Sequence, residues 1–186
     1  MDARGWTRSF ATRESKYHYS FVQLLIQRIA STKPGSFVLA RSLPHLDRIV
    51  YKMSGGRVTL SSVIAGIPVV VLTTIGAKSG VPRTVPVLCL RNEYAPETFA
   101  IVASNFGNDH QPSWYYNLKA HPRVVCKVEG RVGEYYARQV QDEDYDRLWQ
   151  HAQQVYFGFA LYKQRAQHRR IPIFVMSPDQ RKNPRK

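Results

Sequence analysis

Cysteine, acidic residues and the common catalytic fingerprints are what this sequence has least of. Its 186 residues include two cysteines, Cys89 and Cys126, far apart and each inside a strand-like apolar run. That rules against a disulfide framework and reads as two reduced core thiols. Six histidines occur without paired-ligand spacing, so no metal site is expected. There is no nucleophile elbow, no paired-carboxylate signature and no dinucleotide-binding glycine fingerprint. The start, Met1-Asp-Ala-Arg-Gly-Trp-Thr-Arg8, lacks the basic-then-apolar layout of a signal peptide, so the cytoplasm is the expected location. One uncharged run, Val58 to Ala77, matches the ~20 residues of a spanning helix. It carries Ser61, Ser62, Thr73, Thr74 and a Gly66-Ile-Pro68 break, and its second half is β-branched. It therefore reads as a short helix ending at Gly66, followed by a buried strand.

Base outweighs acid, with 27 Lys+Arg against 13 Asp+Glu and a formal net charge of +14. Such an excess attracts nucleic acid, a membrane surface or a polyanionic small molecule. Nucleic acid is not the expected partner, because no RNA-binding or zinc-finger signature is present. Much of the surplus lies at the ends, in Arg4–Lys16 and Lys163–Lys186, and residues 179–186 read as a basic, disordered tail.

Residues 1–57 are expected to form a helical extension. Phe21, Val22, Leu25, Ile26 and Ile29 put a helical apolar stripe in Tyr17–Ala30, which Thr32-Lys-Pro-Gly35 ends. That stripe either packs on the rest of the domain or lies on anionic membrane. Ser36–Tyr51 is partly helical, broken at Pro44, and leads to Ser54-Gly-Gly56. Residues 58–178 then read as one β-rich domain, with strands at Val69–Thr74, Thr84–Leu90, Phe99–Ser104, Val124–Val128, Val132–Val140 and Ile171–Met176. Helices are expected at Pro112–Ala120 and from Asp142 to about Gln154. Short connections between strands exclude a βαβ sheet and predict an antiparallel six-stranded barrel with peripheral helices.

Three segments carry candidate chemistry. Between Thr73 and Pro86 two strands flank a loop with Gly76, Lys78, Ser79 and Gly80, a hairpin signature. Its glycines let backbone N–H groups converge, and Lys78 and Arg83 add positive charge. The hairpin is either a seat for phosphate or carboxylate groups or an exposed basic turn. It is not a nucleotide P-loop, since no glycine precedes Lys78 and no helix follows Ser79. In the second segment, Ala103–Pro122, a strand ends in a glycine-containing loop and Pro112 opens a helix. Trp114 and Asn117, three residues apart, share a helix face. They either border a flat, polar-edged ring or anchor the helix. In the third, Val155–Tyr162, Tyr156, Phe159 and Tyr162 recur every third residue, and Gly158 marks a break. This stripe serves packing, unless a phenol is placed to donate a proton.

An anion seat, aromatic pocket residues and few acid–base groups together suggest that an organic cofactor carries the reaction. The ordered set Gly76-Ala-Lys-Ser-Gly-Val-Pro-Arg-Thr-Val-Pro86, Ala103-Ser104, Pro112-Ser-Trp-Tyr-Tyr-Asn-Leu118, His121-Pro122 and Arg170-Ile-Pro-Ile173 resembles the deazaflavin-dependent nitroreductase family. The resemblance runs from about Val58 to Met176. It implies a split β-barrel that binds coenzyme F420 and passes a hydride to a quinone or nitroaromatic acceptor. Some members associate with membrane through an N-terminal segment, which here implies peripheral contact at the inner face of the plasma membrane. Carried over, Lys78, Ser79 and Arg83 would hold the phosphate and glutamate tail, and Pro86, Val87 and Leu88 would line the ring. Ala103, Ser104 and Gly107 would meet the ring or its side chain, and Trp114 and Asn117 would close the pocket. Tyr156, as the substrate-side phenol, and Ser104 are the implied catalytic side chains. Asn105 and Phe106 stand where the enzyme that gives the family its name has a basic residue, and Leu88 and Phe159 where it has tyrosines. These departures set this chain apart from that enzyme's nitro-drug activity. The same fold also hosts FMN oxidoreductases, which keeps FMN open as the alternative cofactor. The rival from another class is a non-catalytic basic module for anionic lipid or nucleic acid.

Overall fold

The computed structural model describes residues 68–179 except 93, 94 and 96, together with Arg28 and Thr32. The helical extension over 1–57, the short helix before Gly66 and the tail beyond Asp179 lie outside the described residues.

Six strands make up the domain: β1 (Val69–Ile75), β2 (Pro82–Arg91), β3 (Phe99–Val102), β4 (Arg123–Val128), β5 (Arg131–Gln139) and β6 (Ile173–Pro178). They close into a barrel in the order β1-β2-β3-β6-β5-β4, with every neighbouring pair antiparallel. A 3₁₀ turn, Asn105–Gly107, and helix α1 (Ser113–Ala120) lie between β3 and β4. Helices α2 (Asp142–Val155) and α3 (Gly158–Arg165) separate β5 from β6. The antiparallel six-stranded barrel expected from the sequence is therefore the fold. Closure leaves no sheet edge unpaired, which a lone antiparallel sheet of this size would expose.

Strand alternation divides the apolar residues into two cores. Val70, Leu72, Val87, Cys89, Phe99, Ile101, Cys126, Phe174 and Met176 fill the barrel interior, and Trp114 and Leu118 of α1 join them. On the opposite faces of β2, β3 and β6, Leu90, Ala100, Val102, Ile173 and Val175 pack against α2 and α3 through Leu148, Trp149, Ala152, Phe159 and Tyr162. β3, most of β6 and the end of β2 at Cys89 and Leu90 are buried on both faces, which is why those stretches read as nearly continuous apolar runs.

Most strand ends lie one or two residues from their expected positions, and two of these shifts share one cause. β3 was expected to reach Ser104 and β6 to begin at Ile171. The Ala103 N–H donates to the Pro172 carbonyl at 2.8 Å, but Pro172 has no N–H to return, so the ladder stops there. The drifting aromatic stripe is also interrupted. α2 ends at Val155, Tyr156 and Phe157 form the corner, and α3 starts at Gly158.

Candidate functional site

The loop from Gly76 to Val81 is built on the β1–β2 ladder, which runs in register to the Ile75–Pro82 pair. Gly76 N–H donates to Val81 O at 3.0 Å and Gly80 N–H to Gly76 O at 2.8 Å. Gly80 sits at φ +66°, the left-handed region where glycine avoids a Cβ clash. A Cβ on Gly76 would lie 2.4 Å from Ser79 Oγ and 3.7 Å from Arg83 Nε. The loop therefore folds tightly on itself with the Arg83 side chain alongside, while Lys78, Ser79 and Arg83 all stay exposed.

This loop is docked on α1 by one side chain. Asn117 is buried; its Oδ1 accepts from Ala77 N–H at 2.9 Å and its Nδ2 donates to Thr74 Oγ1 at 2.9 Å. A cleft of about 340 Å³ lies between Thr74 and Pro82–Val85 on one side and Ser113, Trp114 and Asn117 on the other. Arg83 faces into it, and the first turn of α1 has no acidic residue to oppose an anion. Trp114 is a helix anchor, one of the two roles its position allowed. Its ring packs edge-on to Phe174 at 6.3 Å inside the barrel mouth, and it lines the cleft.

The second half of the site is the loop after β3. Asn105, Phe106 and Gly107 occupy three consecutive left-handed conformations, at φ 47°, 56° and 79°. Each non-glycine residue there costs on the order of 1–3 kcal/mol. Gly107 has a packing reason as well: a Cβ would meet Tyr162 Cα and O at 3.0 Å and Arg165 Cβ at 2.9 Å, so α3 passes directly over it. Ser104 is half-buried, and its side chain makes no cap hydrogen bond to the turn.

Arg169, which the sequence reading did not single out, ties this loop together. Its Nε donates to Asn108 O at 2.7 Å, its Nη2 to Ser104 O at 2.7 Å, and its Nη1 to Gln111 Oε1 at 2.6 Å and to Ala103 O at 3.4 Å. Burial lowers its pKa, yet a guanidinium keeps its charge at any ordinary pH. Only an arginine pair ahead of a strand signals it in the sequence. The second of that pair, Arg170, lies over the Tyr145 ring at 3.8 Å.

The remaining expected residues divide by strand direction. Pro86 and Leu88 point out of the barrel, and Leu88 packs with Phe106 against the α2–α3 core. The side chains of Val87 and Ala103 point into the barrel instead, so only their backbones are open to a ring lying on the outer face. Tyr156 is buried in the α2–α3 corner, with its hydroxyl 3.1 Å from that of Tyr162. Its ring lies over Gly158, where a Cβ would come within 2.4 Å. Burial raises the pKa of the Tyr162 phenol, so that hydroxyl stays protonated. Arg83, Trp114 and Asn117 thus line the cleft, while Lys78 and Ser79 stay exposed on the loop that Asn117 docks on α1. Leu88, Gly107 and Tyr156 gather at α3, and Ser104 lies on the loop that leads from β3 to α1.

Both cysteines are free and buried, and burial pushes their thiols up to about 12. They are inert core residues, as expected. Among the described residues no group of three His, Cys, Asp or Glu could hold a metal ion, and no helix is long and apolar enough to cross a membrane.

A family model described as F420H(2)-dependent quinone reductase matches residues 46–178. The F420H(2)-dependent quinone reductase Rv1261c of Mycobacterium tuberculosis strain H37Rv is 33% identical over 137 residues, covering 73% of this chain and 89% of that protein. A solved structure described as an F420-H2 dependent reductase, FDR-A, superposes with a TM-score of 0.53 at 35% identity, over 59% of this chain and 94% of its own. Another, described as a domain-swapped dimer, gives a TM-score of 0.56 at 31% identity, over 78% of this chain and all of its own.

Proposed function

Because the chain belongs to the F420H(2)-dependent quinone reductase family, it is an oxidoreductase that uses coenzyme F420, and we propose that the hairpin, the cleft and the α3 corner divide the work of binding and catalysis. The observation that carries this reading is the docked hairpin: Asn117 fixes it to α1, and Arg83 borders a cleft of about 340 Å³ beside it. The residues fit the group. Gly76 admits no side chain against Ser79, and the space above Gly80 is open, with no heavy atom within 4 Å of where a Cβ would lie.

When bound, reduced F420 supplies the hydride that the acceptor takes up. Lys78, Ser79 and Arg83, all exposed, bind its phosphate and glutamyl carboxylates through charge-assisted hydrogen bonds. Pro86 and Leu88 offer an apolar strip along β2 on which a flat ring can lie, with the backbones of Val87 and Ala103 beside it. Trp114 closes the cleft and excludes water. The Ser104 hydroxyl, free of any cap bond, orients the reacting edge. Gly107 lets α3 approach closely enough to bring Tyr156 beside that edge. Tyr156 Oη then gives the acceptor the proton that completes its reduction and is reprotonated from solvent, while Tyr162 Oη, 3.1 Å away, orients the phenol. Tyr156 is nearly buried, so this role requires the corner to open at Phe157 and Gly158, where the helix is already broken.

The acceptor we favour is a quinone, with nitroaromatic compounds as the second class, and Leu88 and Phe106 form the apolar wall it meets. In this reading the apolar stripe within the Tyr17–Ala30 sequence serves as a peripheral anchor on anionic membrane, which brings the site to a lipid-soluble acceptor. The deciding experiment titrates the purified protein with reduced F420 and with FMN, following fluorescence, and then adds menadione. Binding of the deazaflavin with menadione-dependent oxidation is expected. Tight FMN binding without deazaflavin binding would overturn the cofactor assignment.

A further inference from the structure

We propose that Arg169 is the positioning residue for the ring-facing edge of the coenzyme site, an inference that rests on the reading above. Its four hydrogen bonds all go into one loop, and they reach both ends of it: Ala103 and Ser104 where β3 stops, Asn108 and Gln111 where the chain returns toward α1. All four acceptors are neutral carbonyl oxygens. The guanidinium is therefore not neutralised by a carboxylate in direct contact, and it works as a planar fork joining separated points of backbone. Ser104 O is the pivotal acceptor. It takes the Gly107 N–H at 2.9 Å, which closes the turn, and Arg169 Nη2 at 2.7 Å, which fixes the carbonyl in place.

The turn so closed holds three successive left-handed residues, Asn105 to Gly107. Such a run persists only where its surroundings over-determine it. Besides Arg169, its support includes Asn108 N–H donating to Asn105 O at 3.0 Å, Asn105 Nδ2 donating to His110 O at 2.9 Å, the Phe106 ring meeting Tyr162 edge-on at 6.0 Å, and α3 packed over Gly107. The hairpin half of the site has a separate holder, Asn117, and none of the Arg169 bonds reaches it. Two anchors on two halves make the proposal separable from the tail contacts. Loss of Arg169 must disturb the ring end and spare the tail end, and loss of Lys78 must do the reverse.

The test compares Arg169→Lys and Arg169→Ala with Lys78→Ala by fluorescence titration of two ligands, coenzyme F420 and a deazaflavin fragment lacking the phosphate and glutamates. Arg169→Lys keeps the charge and loses the fork. It should weaken both ligands by the same factor, about tenfold, whereas Lys78→Ala should weaken only the full coenzyme. Added guanidinium should restore binding to Arg169→Ala, and Arg169→Lys carries the test if the alanine variant does not fold. Amide exchange on the ligand-free protein supplies an independent readout. Arg169→Lys should speed exchange at Ser104–Asn108 and leave Gly76–Val81 unchanged. Parental affinity of Arg169→Lys for the fragment, or weakening of the full coenzyme alone, overturns the proposal. So does unchanged exchange at the loop, which decides against Arg169 even if the parent protein were to bind neither ligand. Binding of neither would sink the coenzyme reading itself.

Discussion

Lys78 within the glycine turn and Arg83 just beyond it are exposed cations, and the proposed role puts both on the anionic tail of the coenzyme. A charge-assisted hydrogen bond is worth roughly 1.5–3 kcal/mol. Lys78→Ala and Arg83→Ala should therefore each lower affinity for the full coenzyme by about one to two orders of magnitude. Fluorescence titration checks this, and parental affinity in both variants would reduce the loop to a solvated basic turn. The phenol pair behaves differently, because it is buried. Tyr156→Phe keeps the ring over Gly158 and removes the hydroxyl bound to Tyr162. Coenzyme affinity should hold while kcat falls, by ~10²–10⁴ for a general acid. Tyr162→Phe, one bond further away, should lower kcat less. Unchanged turnover in Tyr156→Phe would leave that residue to packing alone.

At the scale of elements, the site depends on how closely α3 crosses the turn after β3. The Gly107 Cα lies where a methyl group would come within 3.0 Å of the Tyr162 backbone, and its φ is +79°. Gly107→Ala combines a steric conflict with backbone with a left-handed alanine, and should cost roughly 1–3 kcal/mol. Calorimetry should record a lower Tm, and the damage should extend to turnover, because α3 carries Tyr162 and abuts Tyr156. A variant as stable as the parent would mean that α3 can shift outward freely. The hairpin has a gentler dependence. Asn117 makes two hydrogen bonds to it, while the β1–β2 ladder holds the strands in register regardless.

At the scale of the whole molecule, the proposed membrane contact rests on charge and on the N-terminal sequence. A basic stretch containing Arg4, Arg8, Arg13 and Lys16 precedes an apolar stripe at Phe21, Val22, Leu25, Ile26 and Ile29. Attraction to anionic headgroups adds about 1 kcal/mol per basic residue near the surface, and the apolar face adds to it. The full chain should sediment with anionic vesicles at low salt, and a chain beginning near Ser31 should not. Equal partitioning of the two would return the stripe to packing within the protein, and the oxidoreductase activity would be unaffected.

The sequence alone determined the strands, the barrel and the glycine hairpin between the first two strands. Each of these is set by interactions short in sequence: period-two burial in Val69–Ile75, glycines between two β-branched runs, proline ahead of a helix. It also carried the core placement of Cys89 and Cys126, since isolated cysteines in apolar strands leave few other readings. Tertiary structure alone decided which faces those residues show. It turned Val87 and Ala103 into the barrel and committed both ends of the Asn117 amide to the hairpin. It also brought Arg169 onto a loop 61 positions earlier, at Asn108. No local pattern encodes such a contact, because a guanidinium and a backbone carbonyl meet only after β3 and β6 have paired. Any residue offers that carbonyl, so the partner leaves no mark in the sequence.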